Sequence, residues 1–342
     1  MTQIIPKNRV SVESNWQKEL ALSFTDPEKL LEYLNLPVAI HKQDIKARRL
    51  FPMRVPRHFA NLMQPGNRDD PLLQQVFPNY SEFSTVAGFT ADPLLEQSNQ
   101  TPGVLHKYKS RALLIVRGGC AVNCRYCFRR HFPYADNSLS RHQWQQALAT
   151  LASAPTINEI ILSGGDPLMA KDHALADLSQ LIEAIPQVKR LRIHTRLPVV
   201  IPERINTEFL NWINAINLQK IMVLHINHAN EVSDELAAKV NVLKQNGITV
   251  LNQAVLLKGI NDSVETQVAL SEALFEVGIL PYYLHLLDKV DGAAHFNVEQ
   301  QTAINIMREV ITELPGFLVP KLVREIGGEL AKSPIDLGSD TK

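Results

Sequence analysis

The chain has 342 residues, enough for one large core or for a core domain with an additional lobe. Basic side chains number 35 and acidic side chains also number 35, so no net charge favours nucleic acid or an anionic membrane as a partner. The N-terminal sequence lacks the apolar core of a secretory signal, and no run approaches the roughly 18 apolar residues of a membrane span, so we expect a cytoplasmic protein.

Residues 1–105 are predicted to form a helical lobe. The stretch "DPEKLLEYLNL" favours a short helix with Asp26 as its N-cap and Pro27 in its first turn. The following stretch "HKQDIKARRLFPMRVPRHFANLM" continues the helical pattern and is broken by Pro52 and Pro56. Few runs of β-branched residues occur in this part of the sequence, so we expect no extended sheet there.

From residue 111 onwards, short apolar segments alternate with amphipathic stretches of helical period. The predicted strands are residues 112–116, 159–164, 191–195, 221–226, 249–257 and 280–287. Gly247 and Gly278 stand where two of the helices should end. This alternation predicts parallel strands joined by right-handed crossovers, in either a partial barrel or an open doubly wound sheet. In both architectures functional residues lie at the carboxyl ends of the strands.

All three cysteines lie in one loop after the first predicted strand, in "GGCAVNCRYCFRRHFPY". Cys120, Cys124 and Cys127 have the spacing C-x3-C-x2-C, and an odd number at such short spacing argues against disulfides. Thiolates select zinc, copper(I) or iron–sulfur clusters. Two interpretations follow: a zinc site with His131 as its fourth ligand, or a [4Fe–4S] cluster held at three corners with its fourth iron open to a ligand.

This loop resembles the signature of the radical S-adenosylmethionine superfamily. In that family an aromatic residue before the last cysteine, here Tyr126, packs near the adenine, and a segment after the second strand, here "LSGGDPL", binds the amino group of the methionine moiety. The latter match covers Ser163, Gly164, Gly165 and Asp166. The resemblance implies an α/β fold with a partial, three-quarter (β/α)6 barrel over residues 106–315, preceded by the helical lobe and followed by a cofactor-binding segment over residues 316–342.

A longer series of motifs resembles one subfamily, the lysine 2,3-aminomutases, which use pyridoxal phosphate as well. These motifs include "LRIHTRLPVVIPERI", "HINHANE", "NQAVLLKGIND", "PYYLHLLDKVDGAAHF" and "GGELAKSP". The resemblance implies that Lys332 forms the resting Schiff base of the cofactor. It also implies that Lys107 and Arg111 bind the phosphate, and that Tyr108 lies beside the ring.

The same resemblance assigns residues to the substrate and to S-adenosylmethionine. Arg129 matches the arginine that binds the substrate carboxylate, for which a guanidinium fork is well suited. Asp288 and Glu325 match the pair of carboxylates that bind the distal ammonium of lysine, although the family has aspartate at the second position. Gln253 and His225 match residues that line the S-adenosylmethionine site.

Together these features predict conversion of L-lysine into β-lysine with a [4Fe–4S] cluster, S-adenosylmethionine, pyridoxal phosphate and a reductant for the cluster. The chain resembles the shorter EpmB-type enzymes, whose β-lysine is attached to translation elongation factor P by a lysine ligase. A free-standing aminomutase of amino-acid metabolism is the alternative, and a non-catalytic iron–sulfur or zinc scaffold is another class. A glutamate 2,3-aminomutase is disfavoured, because Asp288 and Glu325 would repel a distal carboxylate. The sequence leaves the oligomeric state open, a homo-oligomer included.

Overall fold

The structure is a computed structural model that describes residues 15–97, 103–106, 108–137 and 139–338. None of the helices in these ranges is long and apolar enough to cross a membrane. In chain order the α-helices are α1 (Asn15–Ala21), α2 (Pro27–Tyr33), α3 (Lys42–Ile45), α4 (Arg57–Asn61), α5 (Pro71–Gln74), α6 (Arg141–Ala152), α7 (Asp172–Glu183), α8 (Leu197–Val200), α9 (Thr207–Asn214), α10 (Asp234–Gln245), α11 (Val264–Glu276) and α12 (Gln300–Glu313).

One sheet runs through the described residues, with its strands side by side in chain order. The strands are β1 (Val104–Leu105), β2 (Arg111–Arg117), β3 (Glu159–Gly164), β4 (Arg190–Thr195), β5 (Gln219–Leu224), β6 (Ile248–Val255), β7 (Leu280–His285), β8 (Lys321–Arg324) and β9 (Ser333–Pro334). Strands β2 to β8 are parallel, and β1 and β9 pair antiparallel at the two edges.

The strand order distinguishes between the two predicted architectures. A doubly wound sheet reverses its strand order at a switch point. Here every helical crossover leads to the next strand on the same side, so right-handed crossovers place the helices on one face and the sheet curls around the other. The predicted partial (β/α)6 barrel is therefore confirmed, and all six predicted strands are present as β2 to β7.

The prediction missed the strands at the edges. Strand β8 adds a seventh parallel strand beside β7, and the two-residue strands β1 and β9 extend the sheet outside residues 106–315. Such short segments carry too few residues to show a periodicity of two. The division of the chain at residues 105 and 315 stays a prediction.

The helical signals of the N-terminal part are confirmed in detail. Helix α2 begins at Pro27, and the side chain of Asp26 accepts a hydrogen bond of 3.1 Å from the backbone N–H of Glu28. Helices α3 and α4 are separate, with Pro52 and Pro56 between them. At the other predicted ends, Gly247 and Gly278 follow α10 and α11 with φ values of +70° and +86°, a region that favours glycine.

The alternation of side chains along the strands separates the core from the concave face. On β4, Leu191 and Ile193 pack in the hydrophobic core, whereas Arg192 and His194 line a cavity on the other side. The core lies between the sheet and its helices, where side chains such as Phe209 of α9 are fully buried. Because burial of one large apolar side chain contributes roughly 1.5–3 kcal/mol, this layer fixes the positions of the strand ends.

A buried ion pair joins the helical lobe to the cysteine loop. Arg125, which lies between Cys124 and Tyr126, donates from Nε to Glu82 Oε1 at 2.8 Å and from Nη2 to Glu82 Oε2 at 2.5 Å. Its Nη1 also donates to the backbone carbonyl of Phe51 at 2.7 Å. Both charged side chains are completely buried, so each compensates the charge of the other.

Replacing Glu82 by alanine should therefore leave the Arg125 guanidinium buried and uncompensated. We expect Glu82→Ala to lower the free energy of unfolding by about 3–5 kcal/mol, measured by denaturant titration. Asp177→Ala is the matched control, because it breaks an exposed ion pair of 3.4 Å with Arg141 and should cost less than about 1 kcal/mol. Equal losses in the two variants would contradict this role of Glu82.

Candidate active site

A cavity of about 720 Å³ opens at the carboxyl ends of the parallel strands. Every described residue that the family resemblance assigns to a site lines it: Tyr108, Arg111, Cys120, Cys124, Tyr126, Cys127, Arg129, Ser163, Gly164, Gly165, Asp166, His225, Gln253, Asp288, Glu325 and Lys332. Lys107 lies outside the described residues. The strand order thus brings together residues more than 200 positions apart in the chain.

Backbone contacts with the helical lobe fix the conformation of the cysteine loop. The N–H of Asn123 donates to the carbonyl of Arg54 at 3.1 Å, and the N–H of Arg125 donates to the carbonyl of Gln75 at 2.8 Å. In return, Nη1 of Arg54 donates to the carbonyl of Cys120 at 3.1 Å. The loop is therefore held on both sides, and its three thiols have fixed directions.

Gly164 and Gly165 allow the loop after β3 to pack directly against the cysteine loop. Gly164 has φ of +126°, and a Cβ atom there would lie 2.4 Å from the carbonyl oxygen of Arg117. A Cβ atom on Gly165 would lie 2.8 Å from the carbonyl oxygens of Gly118 and Gly119. These two glycines therefore let two backbone segments approach each other closely.

Asp166 is engaged by the protein itself. Its buried carboxylate accepts hydrogen bonds of 2.8 and 2.9 Å from the Thr195 hydroxyl. It also accepts bonds of 2.9 to 3.0 Å from the backbone N–H groups of Leu168, Arg196 and Leu197. These hydrogen bonds orient the start of α8, and the predicted contact of the Asp166 side chain with an ammonium group stays a prediction.

The three cysteine sulfurs of the loop are suited to bind positively charged metal ions. Burial and the neighbouring Cys127 raise the pKa of Cys120 well above its usual value, and burial and Cys124 raise the pKa of Cys127 to about 11. Thiolates at these positions thus need a bound cation to offset their charge. His131 is exposed and does not line the cavity, so the structure does not support it as a zinc ligand. Across the described ranges, no three His, Cys, Asp or Glu side chains surround a single-ion site.

Tyr126 is held rigidly at the edge of the cavity nearest to Cys124. Its hydroxyl accepts a hydrogen bond of 2.7 Å from the Asn227 side chain and lies 3.2 Å from Nε2 of His225. The rings of Tyr126 and His225 stack with centroids 5.8 Å apart. His225 directly follows β5 and Gln253 lies in β6, so both reach the cavity from adjacent strands.

The segment after β8 supplies the amine of the site. Nζ of Lys332 lies 2.6 Å from Oε2 of Glu325, and the hydroxyl of Tyr108 donates to Oε1 of the same carboxylate at 3.1 Å. The Arg111 guanidinium lies over the Tyr108 ring, 3.9 Å from its centroid. Glu325, which the sequence assigns to the substrate, is therefore paired with Lys332 in this structure.

Arg129 is positioned by a residue that the sequence interpretation missed. Its Nε and Nη2 donate to the two carboxylate oxygens of Glu96 at 2.7 and 3.1 Å, and Nη1 lies 3.3 Å from the Ser163 hydroxyl. Although burial disfavours the charge, Glu96 raises the pKa of Arg129, so the guanidinium keeps its proton. No motif marks Glu96, because a single acidic residue in a loop has no pattern.

Two further residues of the cavity wall, His194 and His285, lie at the carboxyl ends of β4 and β7. Nε2 of each is buried without a hydrogen-bond partner in the described part of the chain. Burial, aided by the charge of Lys332, lowers the pKa of both well below the usual value, so both rings are neutral. Their positions in "LRIHT" and "YYLHLL", at the ends of predicted strands, were the signal that could have identified them.

The chain is similar to a known superfamily and to several known enzymes. Residues 114–267 match the radical SAM superfamily. The chain is 52% identical to the L-lysine 2,3-aminomutase of Escherichia coli K12, with 98% of each chain covered. It is 50% identical to the enzyme of that name from Haemophilus influenzae, over 97% of this chain and 98% of the other. The L-lysine 2,3-aminomutase of Clostridium subterminale is 29% identical over 94% of this chain and 78% of its own.

Acid should destabilise the protein through its buried histidines. Burial, assisted by Arg196, lowers the pKa of His225 to about 3, whereas an unfolded histidine has a pKa of about 6.5. Between these two pH values the unfolded chain binds more protons than the folded chain. The contribution of His225 to the free energy of unfolding is therefore fully present above about pH 6.5 and is lost as the pH falls toward 3. His225 alone should lower the free energy of unfolding at pH 5 by about 2 kcal/mol relative to pH 8.

Denaturant titration at pH 8 and pH 5 measures this effect. Between pH 8 and pH 5 the free energy of unfolding should fall by roughly 2 kcal/mol less in His225→Asn than in the unaltered protein. The exposed His142→Asn is the control and should leave the pH dependence unchanged. If His225→Asn loses as much stability as the unaltered protein, His225 is not neutral in the folded state.

Proposed function

The chain belongs to the lysine 2,3-aminomutase family of radical S-adenosylmethionine enzymes, and we propose that it converts L-lysine into β-lysine with pyridoxal phosphate bound at Lys332. Membership of this family implies an isomerase with a [4Fe–4S] cluster and S-adenosylmethionine. The observation that best supports the use of pyridoxal phosphate is that the Lys332 amine and the three cysteine thiols line one cavity. A radical formed near the cysteines can then reach a substrate held near Lys332.

The cofactors supply the difficult chemistry and the protein supplies position. When bound, the cluster with S-adenosylmethionine provides a hydrogen-abstracting radical, and pyridoxal phosphate provides an electron sink for migration of the amino group. Cys120, Cys124 and Cys127 would hold the cluster at three corners, which leaves the fourth iron for S-adenosylmethionine. Lys332 would carry pyridoxal phosphate, with Arg111 near its phosphate and Tyr108 beside its ring.

The substrate would be oriented at both ends. Arg129 would bind the α-carboxylate, and Glu96 fixes the plane of its guanidinium before the substrate arrives. The charges of Lys332 and Arg129 both lower the pKa of His194, so both groups lie near this histidine. Asp288 and Glu325 would bind the distal ammonium, and the contact of Glu325 with Lys332 places its carboxylate at the same end of the cavity as this amine. These carboxylates select lysine over glutamate, whose distal group is negative.

The reaction itself is tested with anaerobically reconstituted and reduced protein. Incubation with S-adenosylmethionine and L-lysine should yield β-lysine, with chiral analysis to identify its enantiomer. We expect Lys332→Ala to lower this activity by at least about 10³-fold and to lose the visible absorption of lysine-bound pyridoxal phosphate. Lys321→Ala, on the exposed face of β8, is the matched control and should keep both properties. Protein that carries a cluster but produces no β-lysine would favour the scaffold interpretation.

We further propose that the β-lysine is destined for elongation factor P. The support is the resemblance of the whole chain to the shorter enzymes of the family. The test is to supply the product, together with elongation factor P and its lysine ligase, and to measure the mass of elongation factor P. Addition of a β-lysyl group in preference to an α-lysyl group is the expected result. Equal attachment of both would favour a free-standing role in amino-acid metabolism.

A further inference from the structure

One buried guanidinium contacts a cysteine sulfur directly. Arg196, which follows β4, donates from Nη1 to Sγ of Cys124 at 2.7 Å. Within the described residues no side chain donates in this way to the sulfur of Cys120 or Cys127. We infer that Arg196 is a positioning residue that raises the reduction potential of the cluster, by stabilising its reduced state through the Cys124 sulfur.

The guanidinium is held so that it cannot turn away from the sulfur. Its Nη2 donates to Glu231 Oε2 at 2.8 Å and to Gln75 Oε1 at 2.6 Å, and its Nη1 donates to the Tyr126 hydroxyl at 2.7 Å. All of these partners are buried. Gln75, Tyr126 and Glu231 lie in three separate parts of the chain. The fold as a whole therefore determines the direction of the Arg196 N–H group that contacts Cys124.

The sign of the effect follows from charge. In reduction the cluster takes one electron from an external one-electron donor, so it gains one negative charge while no bond to Arg196 forms or breaks. Arginine keeps its protons under all ordinary conditions, so the charge that faces the sulfur is constant. A cation in a low-dielectric interior stabilises the more negative state, and hydrogen bonds to cluster sulfurs raise the potential.

Glu231 does not cancel this effect. Its carboxylate contacts Nη2 of Arg196, whereas Nη1 contacts the sulfur, so the positive group lies between the carboxylate and Cys124. Glu231 also accepts hydrogen bonds from the Gln75 side chain at 3.0 Å and from the Asn227 backbone at 2.9 Å, which disperse its charge away from the cluster. The sulfur is therefore closest to the positive end of the pair.

Arg204 offers a matched control for the general effect of disturbing a buried arginine. Its side chain is completely buried, donates to Asp172 Oδ1 at 2.7 Å and to the Leu168 carbonyl at 2.8 Å, and packs against Trp16. It makes no hydrogen bond to a cysteine among the described residues. Substitution there should lower stability as substitution of Arg196 does, but without changing the charge beside the cluster.

The experiment is a redox titration of anaerobically reconstituted protein, followed by the electron paramagnetic resonance signal of the reduced cluster, with iron and sulfide measured in each sample. We expect Arg196→Gln to lower the ratio of reduced to oxidised cluster at a fixed potential by about tenfold, which is about 59 mV for one electron. Arg196→Lys should lower the reduction potential of the cluster by a smaller amount, and Arg204→Gln should leave this potential unchanged.

Two outcomes would overturn the inference. One is an unchanged potential in Arg196→Gln, or in Arg196→Lys if the glutamine variant does not assemble the cluster. The other is an equal shift in Arg204→Gln, since that would reflect a general loosening of the fold. Neither result depends on pyridoxal phosphate or on turnover, so both are distinct from failure of the proposed reaction.

Discussion

The site depends on the close backbone contact between the loops that follow β2 and β3. The N–H of Gly165 donates to the carbonyl of Arg117 at 2.7 Å, and the N–H of Asp166 donates to the carbonyl of Gly119 at 3.1 Å. Only glycine permits this approach, because any Cβ atom at Gly164 or Gly165 would collide with backbone atoms of the cysteine loop. The contact joins the cysteine loop to the end of β3.

Three arginine–glutamate pairs hold the cysteine loop and the segment that follows β4. Arg125 pairs with Glu82, Arg129 with Glu96, and Arg196 with Glu231, and in each pair both side chains are buried. A buried charge without its partner is costly, so each pair ties the cysteine loop or its neighbour to a distant part of the chain. Folding of the whole chain thus fixes the positions of the cysteine loop and of Arg129, which would contact cofactors or substrate.

The sequence was sufficient for the elements with strong local patterns. The apolar runs of β2 to β7 and the cysteine spacing carry their information within a few residues, whereas a role is assigned to Lys332 only through the resemblance of the motifs around it. The partners Glu82 and Glu96 could not be predicted, because each is an isolated acidic residue whose role arises only when the chain folds. Glu231 ends the motif "HINHANE", but the motif does not reveal that this carboxylate pairs with Arg196. Asp166 has an additional role that its motif did not predict, because its carboxylate accepts hydrogen bonds from the backbone at the start of α8.

The most direct test of the account is iron-edge anomalous diffraction from anaerobically reconstituted crystals soaked with pyridoxal phosphate. We expect iron density bonded to the protein only through the sulfurs of Cys120, Cys124 and Cys127, and cofactor density continuous with Nζ of Lys332 in the same cavity. A fourth protein side chain on the iron, or a Lys332 amine directed into bulk solvent, would contradict it.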